Sequence, residues 1–526
     1  MHNKLVKFKT CTQLWSSLCL LLSIFVTQAQ ENPAQQRPNI VLFLVDDMGW
    51  QDTSVPFHSV QTDLNKRYHT PNMERMAAEG VKFTRAYSCS VCSPTRVSLM
   101  TGMNAMNHRV TNWTIKKNVA QDAKHPTLSF PKWNVNGMSA TAGIENTVHA
   151  TPFPSLLQQS GYHTVHVGKA HFGALTTPGE NPLNLGFDVN IAGTACGGLA
   201  SYWGTHDFSH SGKLGKKSTQ RGAWDVPGLE PYHGKDIFLT EALTLEALKA
   251  LKAIEKPIKQ NKPFYLYMAH YAIHAPIMED KRFYQKYLEK GIDPTEAKYA
   301  SMIEAMDKSL GDIMDFLQQR NVADNTIILF MSDNGGLSAT KRGGEKHSHN
   351  RPLSSGKGSA HEGGVRVPMM VKWPRVSVAG SVCHQPLIIE DFFPSILEMA
   401  GVKQSQTVQN IDGQSFVSLI KTPATGIQSR ALYWHYPNQW GPKGPGIGAS
   451  SAILLDDWKL IYYHQNQSVE LFNLKTDIGE QNNLASKNRA KITKLSRLLG
   501  DTLKQSNAQM PSLKDGGARI PYPSTN

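Results

Sequence analysis

Two uninterrupted apolar runs, each closed by acidic residues, constrain the fold of this chain most. Asn39-Ile-Val-Leu-Phe-Leu-Val45 runs into Asp46-Asp47-Met-Gly, and Thr326-Ile-Ile-Leu-Phe-Met331 runs into Ser332-Asp333-Asn334-Gly-Gly. A β-branched run without polar alternation predicts a strand buried on both faces, as in a parallel sheet covered by helices. Residues 162–167, before Gly168-Lys169, and 264–268, before His270, predict two more. Apolar residues recur at helical spacing over 236–254, 299–317 and 389–400. Strands alternating with helices predict an α/β fold with a mainly parallel central sheet flanked by helices. Ligands of such sheets gather beyond the carboxyl ends of the strands, where Asp46, Lys169, His274 and Asp333 all fall.

Beyond about residue 402 the pattern changes to short strands, at 432–436, 451–455, 458–463 and 469–472, and then a helix near 487–504. This predicts a small antiparallel sheet with one helix. The expected organisation is therefore a signal peptide over 1–29, a catalytic α/β domain over 30–410 and a C-terminal α+β subdomain over 411–526. The signal peptide has a basic start (Lys4, Lys7, Lys9), an apolar stretch over 14–26 and a small-residue end, Thr27-Gln28-Ala29. It predicts export to the periplasm or beyond, with cleavage near Ala29. The apolar stretch is short for a membrane span, and no later segment has 18 uncharged apolar residues, so no span is expected.

Cleavage removes three lysines and no acid, lowering the formal charge from +13 to about +10, a balance that favours polyanionic partners. The basic residues are scattered and accompany no nucleic-acid motif, so no nucleic-acid partner is expected. A sulfated glycan agrees better with export. No oligomeric state is specified. Of six cysteines, Cys89, Cys92, Cys196 and Cys383 remain after cleavage, too few for a disulfide scaffold. Cys89-Ser-Val-Cys92 has redox-motif spacing, but the adjoining Pro94-Thr95-Arg96 fits a thioredoxin-like unit poorly.

Alone, Asp46-Asp47 reads as a helix cap. Joined by Asp333-Asn334 at the end of an equivalent strand, it makes three carboxylates and an amide that repel unless a cation lies between them. All-oxygen ligation selects Ca²⁺ or Mg²⁺ over zinc. Lys169, His171 and His274 would each, singly, be an ordinary solvated or turn residue. The segment 350–368 carries Lys357 and His361-Glu362 between glycines that let the backbone approach a ligand closely.

Cys92-Ser93-Pro94-Thr95-Arg96, continuing into Val97-Ser98-Leu99-Met100-Thr101-Gly102, resembles the signature of type I sulfatases of the alkaline phosphatase superfamily. The resemblance runs from Arg37 through 477–484, in the family's order of motifs. It implies a large alkaline-phosphatase-like domain and a bacterial polysaccharide sulfatase that hydrolyses sulfate monoesters. The glycan would be algal, such as ulvan or carrageenan, or from a host. It also implies that a maturation enzyme converts Cys92 to formylglycine, whose hydrated form attacks sulfur. One Ca²⁺ would be held by Asp46, Asp47, Asp333, Asn334 and residue 92. Arg96 would orient the formylglycine, Lys169, His274 and Lys357 would bind sulfate, and His171 would act as base. Thr95, Met103 and His361 depart from the usual pattern, and His361 is expected to face substrate. Among C-terminal aromatics, Trp434 is expected in the core, and His435 and Trp440 at the pocket mouth. The insert 196–234 is a second candidate for sugar contacts. Two other readings remain: a phosphodiesterase or phosphonate hydrolase of the same superfamily, and an inactive glycan-binding protein.

Overall fold

Strand β1, Asn39–Val45, is buried along its whole length, as its unbroken apolar sequence requires. It sits at the centre of a nine-stranded sheet. In chain order the other strands are β2 (Val81–Tyr87), β3 (His163–Gly168), β4 (Val189–Ile191), β5 (Phe264–Ala269), β6 (Thr326–Ser332), β7 (Arg366–Lys372), β8 (Ser381–Cys383) and β9 (Leu387–Ile388). Their spatial order is β8-β2-β7-β6-β1-β5-β3-β4, with β9 beside β2. The run β6-β1-β5-β3-β4 is wholly parallel. Strand β7 is antiparallel to both its neighbours, so the sheet is mixed though mostly parallel. The computed structural model describes residues 37–216, 222–255, 262–340, 342–402, 406–424, 429–514 and 516–524. The segment read as a signal peptide lies outside the described residues.

Alternate side chains of β1 enter two cores. Ile40, Leu42 and Leu44 meet helices α1 (Cys92–Thr101) and α4 (Phe392–Met399). Val41, Phe43 and Val45 meet α2 (Leu239–Ala253) and α3 (Pro294–Gln319). Each fully buried Leu or Phe of this kind contributes roughly 2 kcal/mol. Helix α3 starts where its sequence says it should: Asp293 accepts from the amides of Thr295 and Glu296, and Pro294 occupies the first turn.

The C-terminal sheet is antiparallel, in the order β10 (Leu432–Tyr436), β11 (Ser450–Leu455), β12 (Trp458–Tyr463), β13 (Val469–Asn473). Helix α5 (Arg489–Gln505) lays Leu495, Leu499 and Leu503, spaced one turn apart, on Ile453, Leu460 and Leu471. Both sheets belong to one unit, Arg37–Asn526. No helix among the described residues is long and apolar enough to cross a membrane.

Candidate active site

Four neighbouring parallel strands end at one edge of the large sheet, and each delivers a residue there. Asp46 and Asp47 come directly after β1, Lys169 after β3 and Asp333 after β6, while His274 lies five residues past β5. Backbone bonds lock these turns together: the Asp46 amide donates to Ala272 O (2.9 Å), Lys169 N to Ala269 O (2.7 Å) and Asp333 N to Val45 O (2.9 Å). Gly168 is obligatory here, because its φ is +98° and a Cβ would stand 2.0 Å from Ala269 O. Asp47 and His171 are non-glycine residues at positive φ, 62° and 56°. Such backbone is strained and persists where surrounding structure imposes it, commonly at sites of chemistry.

The charges at this edge are buried and matched. Lys169 Nζ meets Asp46 Oδ2 at 2.6 Å, Lys357 Nζ meets Asp47 Oδ1 at 2.5 Å, and Arg96 Nε donates to Asp333 Oδ2 at 2.9 Å. Asn334 Nδ2 donates to Asp47 Oδ1 (2.8 Å) and the Asp47 amide to Asp333 Oδ1 (3.3 Å). Burial and the neighbouring Asp333 push the Asp46 carboxyl well up, against Lys169. Burial also pushes Asp47 up, but Lys357, His274 and Lys169 outweigh it and hold that carboxyl below the usual range. Asp46 Oδ1 and Asn334 Oδ1 have no hydrogen-bond partner among the described residues. Ligand atoms of Asp46, Asp47 and His274 lie within 4.8 Å of one another. Buried acceptors left unspent in an oxygen-rich, acidic cluster fit a hard divalent cation.

Cys92 opens α1, a helix whose ten residues are all buried, and is itself 4 % exposed, facing the cavity. Thr95 closes the preceding turn, accepting from the Cys89 amide (3.0 Å) and donating to Val91 O (3.3 Å). Cys89, Cys92 and Cys383 are free thiols. Burial pushes the Cys89 thiol up to about 12, and raises Cys92 despite Lys169 and Lys357. A redox pair needs an accessible thiol of lowered pKa, and neither cysteine provides one. His171 donates from Nε2 to Thr114 O (2.7 Å), leaving Nδ1 with its lone pair and no partner among the described residues. Burial and Lys169 hold the imidazole well below its usual pKa, so it is neutral. His274 donates from Nδ1 to Ala275 O (2.6 Å), and burial with Lys357 pushes it down to about 3.

The sulfatase family model matches residues 38–402, and the C-terminal model of N-sulphoglucosamine sulphohydrolase matches 356–509. The chain belongs to the sulfatase family. It is a sulfuric ester hydrolase. A Formosa agariphila protein named sulfatase is 28% identical, covering 96% of each chain. Human N-acetylgalactosamine-6-sulfatase is 30% identical over 91% of this chain and 87% of its own. The solved structure of Ps i-CgsB in complex with k-i-k-neocarrahexaose superposes with a TM-score of 0.68 at 26% identity, over 90% of this chain and 93% of that one.

In this sulfatase Cys92, Asp47, His171, His274 and Lys357 line the floor of a cavity of about 480 Å³. Asp46, Lys169, Arg96, Asp333 and Asn334 lie behind that floor, fully buried. Trp440 lines the cavity, seated on Gly358, where a Cβ would stand 2.2 Å from the indole. Two expectations are corrected. His361 does not line the cavity: it is buried, with Nδ1 2.9 Å from Ser354 Oγ and Nε2 2.9 Å from Glu470 Oε2. His435 does not line it either, because its ring spans Ser451 Oγ (2.8 Å) and Gln509 O (3.0 Å) inside the small sheet. Met103 packs against the core, and Trp434 is buried with Nε1 donating to Ser88 O (2.8 Å).

Two residues carry no signal legible in the sequence. Gly197 and Gly198, inside the insert, press on the two floor histidines, where a Cβ would come within 2.1 Å of the His171 ring and 2.6 Å of His274. Glycine in a glycine-rich loop has no period, so only the fold shows what it touches.

Proposed function

We propose that this sulfatase is exported and cuts sulfate monoesters on a polysaccharide or its oligosaccharides, using formylglycine made from Cys92 and one bound Ca²⁺. The observation that carries the reading is Cys92 on the cavity floor among Asp47, Lys357, His171 and His274. Glycan specificity is supported by the positive charge and by relatives named N-acetylgalactosamine-6-sulfatase or solved in complex with k-i-k-neocarrahexaose. Asp46, Asp47, Asp333 and Asn334 would hold the Ca²⁺, which supplies Lewis acidity toward a sulfate oxygen. Formylglycine supplies a hydrated aldehyde with one hydroxyl to attack and a second that lets sulfate leave, where a plain serine would stay esterified.

The remaining work falls to residues of the chain. Arg96 anchors the helix bearing residue 92, through Asp333 and Lys169 O (2.8 Å). Lys357 meets the sulfate oxygens and gives the departing alcohol its proton, since His274 has committed its Nδ1 hydrogen to Ala275 O. Lys169 acts one step behind, on Asp46. His171, neutral and with a free lone pair on Nδ1, takes a proton from residue 92.

Peptide mass spectrometry over residues 85–96 should find Cys92 as formylglycine in protein made with a maturation enzyme. The same protein should turn over an aryl sulfate faster than an aryl phosphodiester. Full activity with an unmodified Cys92, or a Cys89–Cys92 disulfide in active enzyme, would refute the mechanism. Faster phosphodiester cleavage would favour the phosphonate-hydrolase reading, and inertness toward both esters the glycan-binding one. Chelation should abolish turnover, with Ca²⁺ restoring it.

A further inference from the structure

The chemistry of the floor leaves one wall of the cavity unexplained. Trp113, Trp224, His210 and Lys213 line it, above the floor residues. Trp224 is 40 % exposed, and the Trp113 ring faces it with centroids 6.2 Å apart and planes inclined at 45°. Trp113 is half-buried, and an indole as open to water as Trp224 forfeits apolar burial unless a ligand covers it. Neither is loosely held. The Trp113 amide donates to Asn112 Oδ1 (2.9 Å), which also accepts from Tyr436 OH (3.1 Å), and Asn112 Nδ2 donates to Asp122 (3.0 Å). Trp224 O accepts from the Ala200 amide (2.9 Å). Its neighbour Asp225, buried, accepts from the amides of His210 (2.8 Å) and Gly222 (2.6 Å), which ties the cationic turn to the aromatic one.

The charge of the wall is equally one-sided. Asp47 is the one carboxylate among the described residues that line this cavity, and Lys357 holds it at the floor. The wall therefore presents two aromatic rings and two basic side chains, and the acid near them, Asp225, is buried and spent on the amides of His210 and Gly222. A flat apolar ligand would need the indoles alone. A single sulfate would need neither indole, and a 480 Å³ cavity is of the size that takes a whole multi-ring ligand.

We propose that this wall is a second subsite. Trp113 and Trp224 take the ring of the sugar next to the one that loses sulfate, and Lys213 with His210 takes an anionic group, sulfate or carboxylate, on that neighbouring sugar. The inference rests on the sulfatase reading of the floor and adds to it a preference for oligosaccharides carrying a second negative charge.

Trp224→Ala, Trp224→Phe and Lys213→Ala test it, with thermal melting as the fold control. Each is assayed beside wild type against 4-nitrophenyl sulfate and against oligosaccharides of carrageenan, heparin and chondroitin sulfate bearing one or more anionic groups. On the best oligosaccharide, kcat/KM should fall about tenfold in Trp224→Ala and Lys213→Ala, mainly through KM, and Trp224→Phe should recover most of it. Turnover of 4-nitrophenyl sulfate should stay within about twofold. The Lys213→Ala loss should vanish on oligosaccharides with a single anionic group, while the Trp224→Ala loss persists. Equal losses on both substrate types, no loss on oligosaccharides, or a wild type that cleaves the aryl sulfate and none of the oligosaccharides would overturn the subsite. A wild type with formylglycine at Cys92 that cleaves neither would instead strike the sulfatase reading of the floor.

Discussion

The floor and the wall of one cavity are built on opposite plans. On and behind the floor, Asp46, Asp47 and Asp333 are each matched to Lys169, Lys357 or Arg96 and shut away from water. On the wall, Lys213, His210 and Trp224 stand exposed on an insert, and the nearby Asp225 is buried and spent on backbone amides. Asp47, His171 and His274 on the floor come from just beyond the ends of strands whose positions the sheet dictates. Wall residues come from loops and the short helix His210–Lys213, outside the strands of the sheet. Rigid placement suits charge development in a reaction, whereas a replaceable rim suits discrimination between substrates.

The contrast breaks most decisively at Cys92. Cys92→Ala should lower turnover of an aryl sulfate by about 10⁴-fold or more while leaving the melting temperature near wild type. Retained activity would mean that the chemistry is elsewhere. Asp47→Asn comes next, with an expected loss of about 10³-fold. It should also destabilise, by roughly 3 kcal/mol in urea unfolding, because it strands the buried Lys357 charge. Lys213→Ala, on the exposed wall, should change neither aryl sulfate turnover nor stability.

Gly197 tests whether the two plans are really separate, since it belongs to the insert yet touches the floor. Gly197→Ala should cost about 10²-fold in kcat by displacing His171, with little change in KM. An unchanged kcat would show that His171 has slack. The smallest effect is expected at His361, which lies away from both regions. Burial pushes its imidazole down, but Glu480 and Glu470 outweigh this and hold the pKa above its usual value. A group raised on folding stabilises fully below its unfolded pKa of about 6.5 and loses that contribution as pH rises through the folded value. Melting temperature should therefore fall with rising pH more steeply in wild type than in His361→Gln.

Much of the floor is legible in the sequence, because a short, β-branched, unbroken apolar run closed by Asp and Gly reads as an interior strand and the residues just beyond it lie at its carboxyl end. That rule alone brings Asp46, Asp47, Lys169, His274 and Asp333 together. It does not place His361, because a histidine before Glu-Gly-Gly reads the same whether it meets a ligand or an acid. Here it meets Glu470, 109 residues further on. His435 escapes the rule for a similar reason: it lies on a strand, where alternation decides which face a side chain takes, and its face points to Ser451. Trp113 carries no pattern at all, and its place opposite Trp224 comes from chain folding.

Helix α1 also imposes a chronology. Cys92 starts a segment in which every residue through Thr101 is sealed inside the protein. On the proposed mechanism a maturation enzyme would have to reach this buried stretch, so conversion of Cys92 would precede the entry of Val97, Leu99 and Met100 into the core. A molecule that folded first would then keep an unconverted Cys92. Specific activity of a preparation would thus report the outcome of a race between folding and modification, decided once for each molecule.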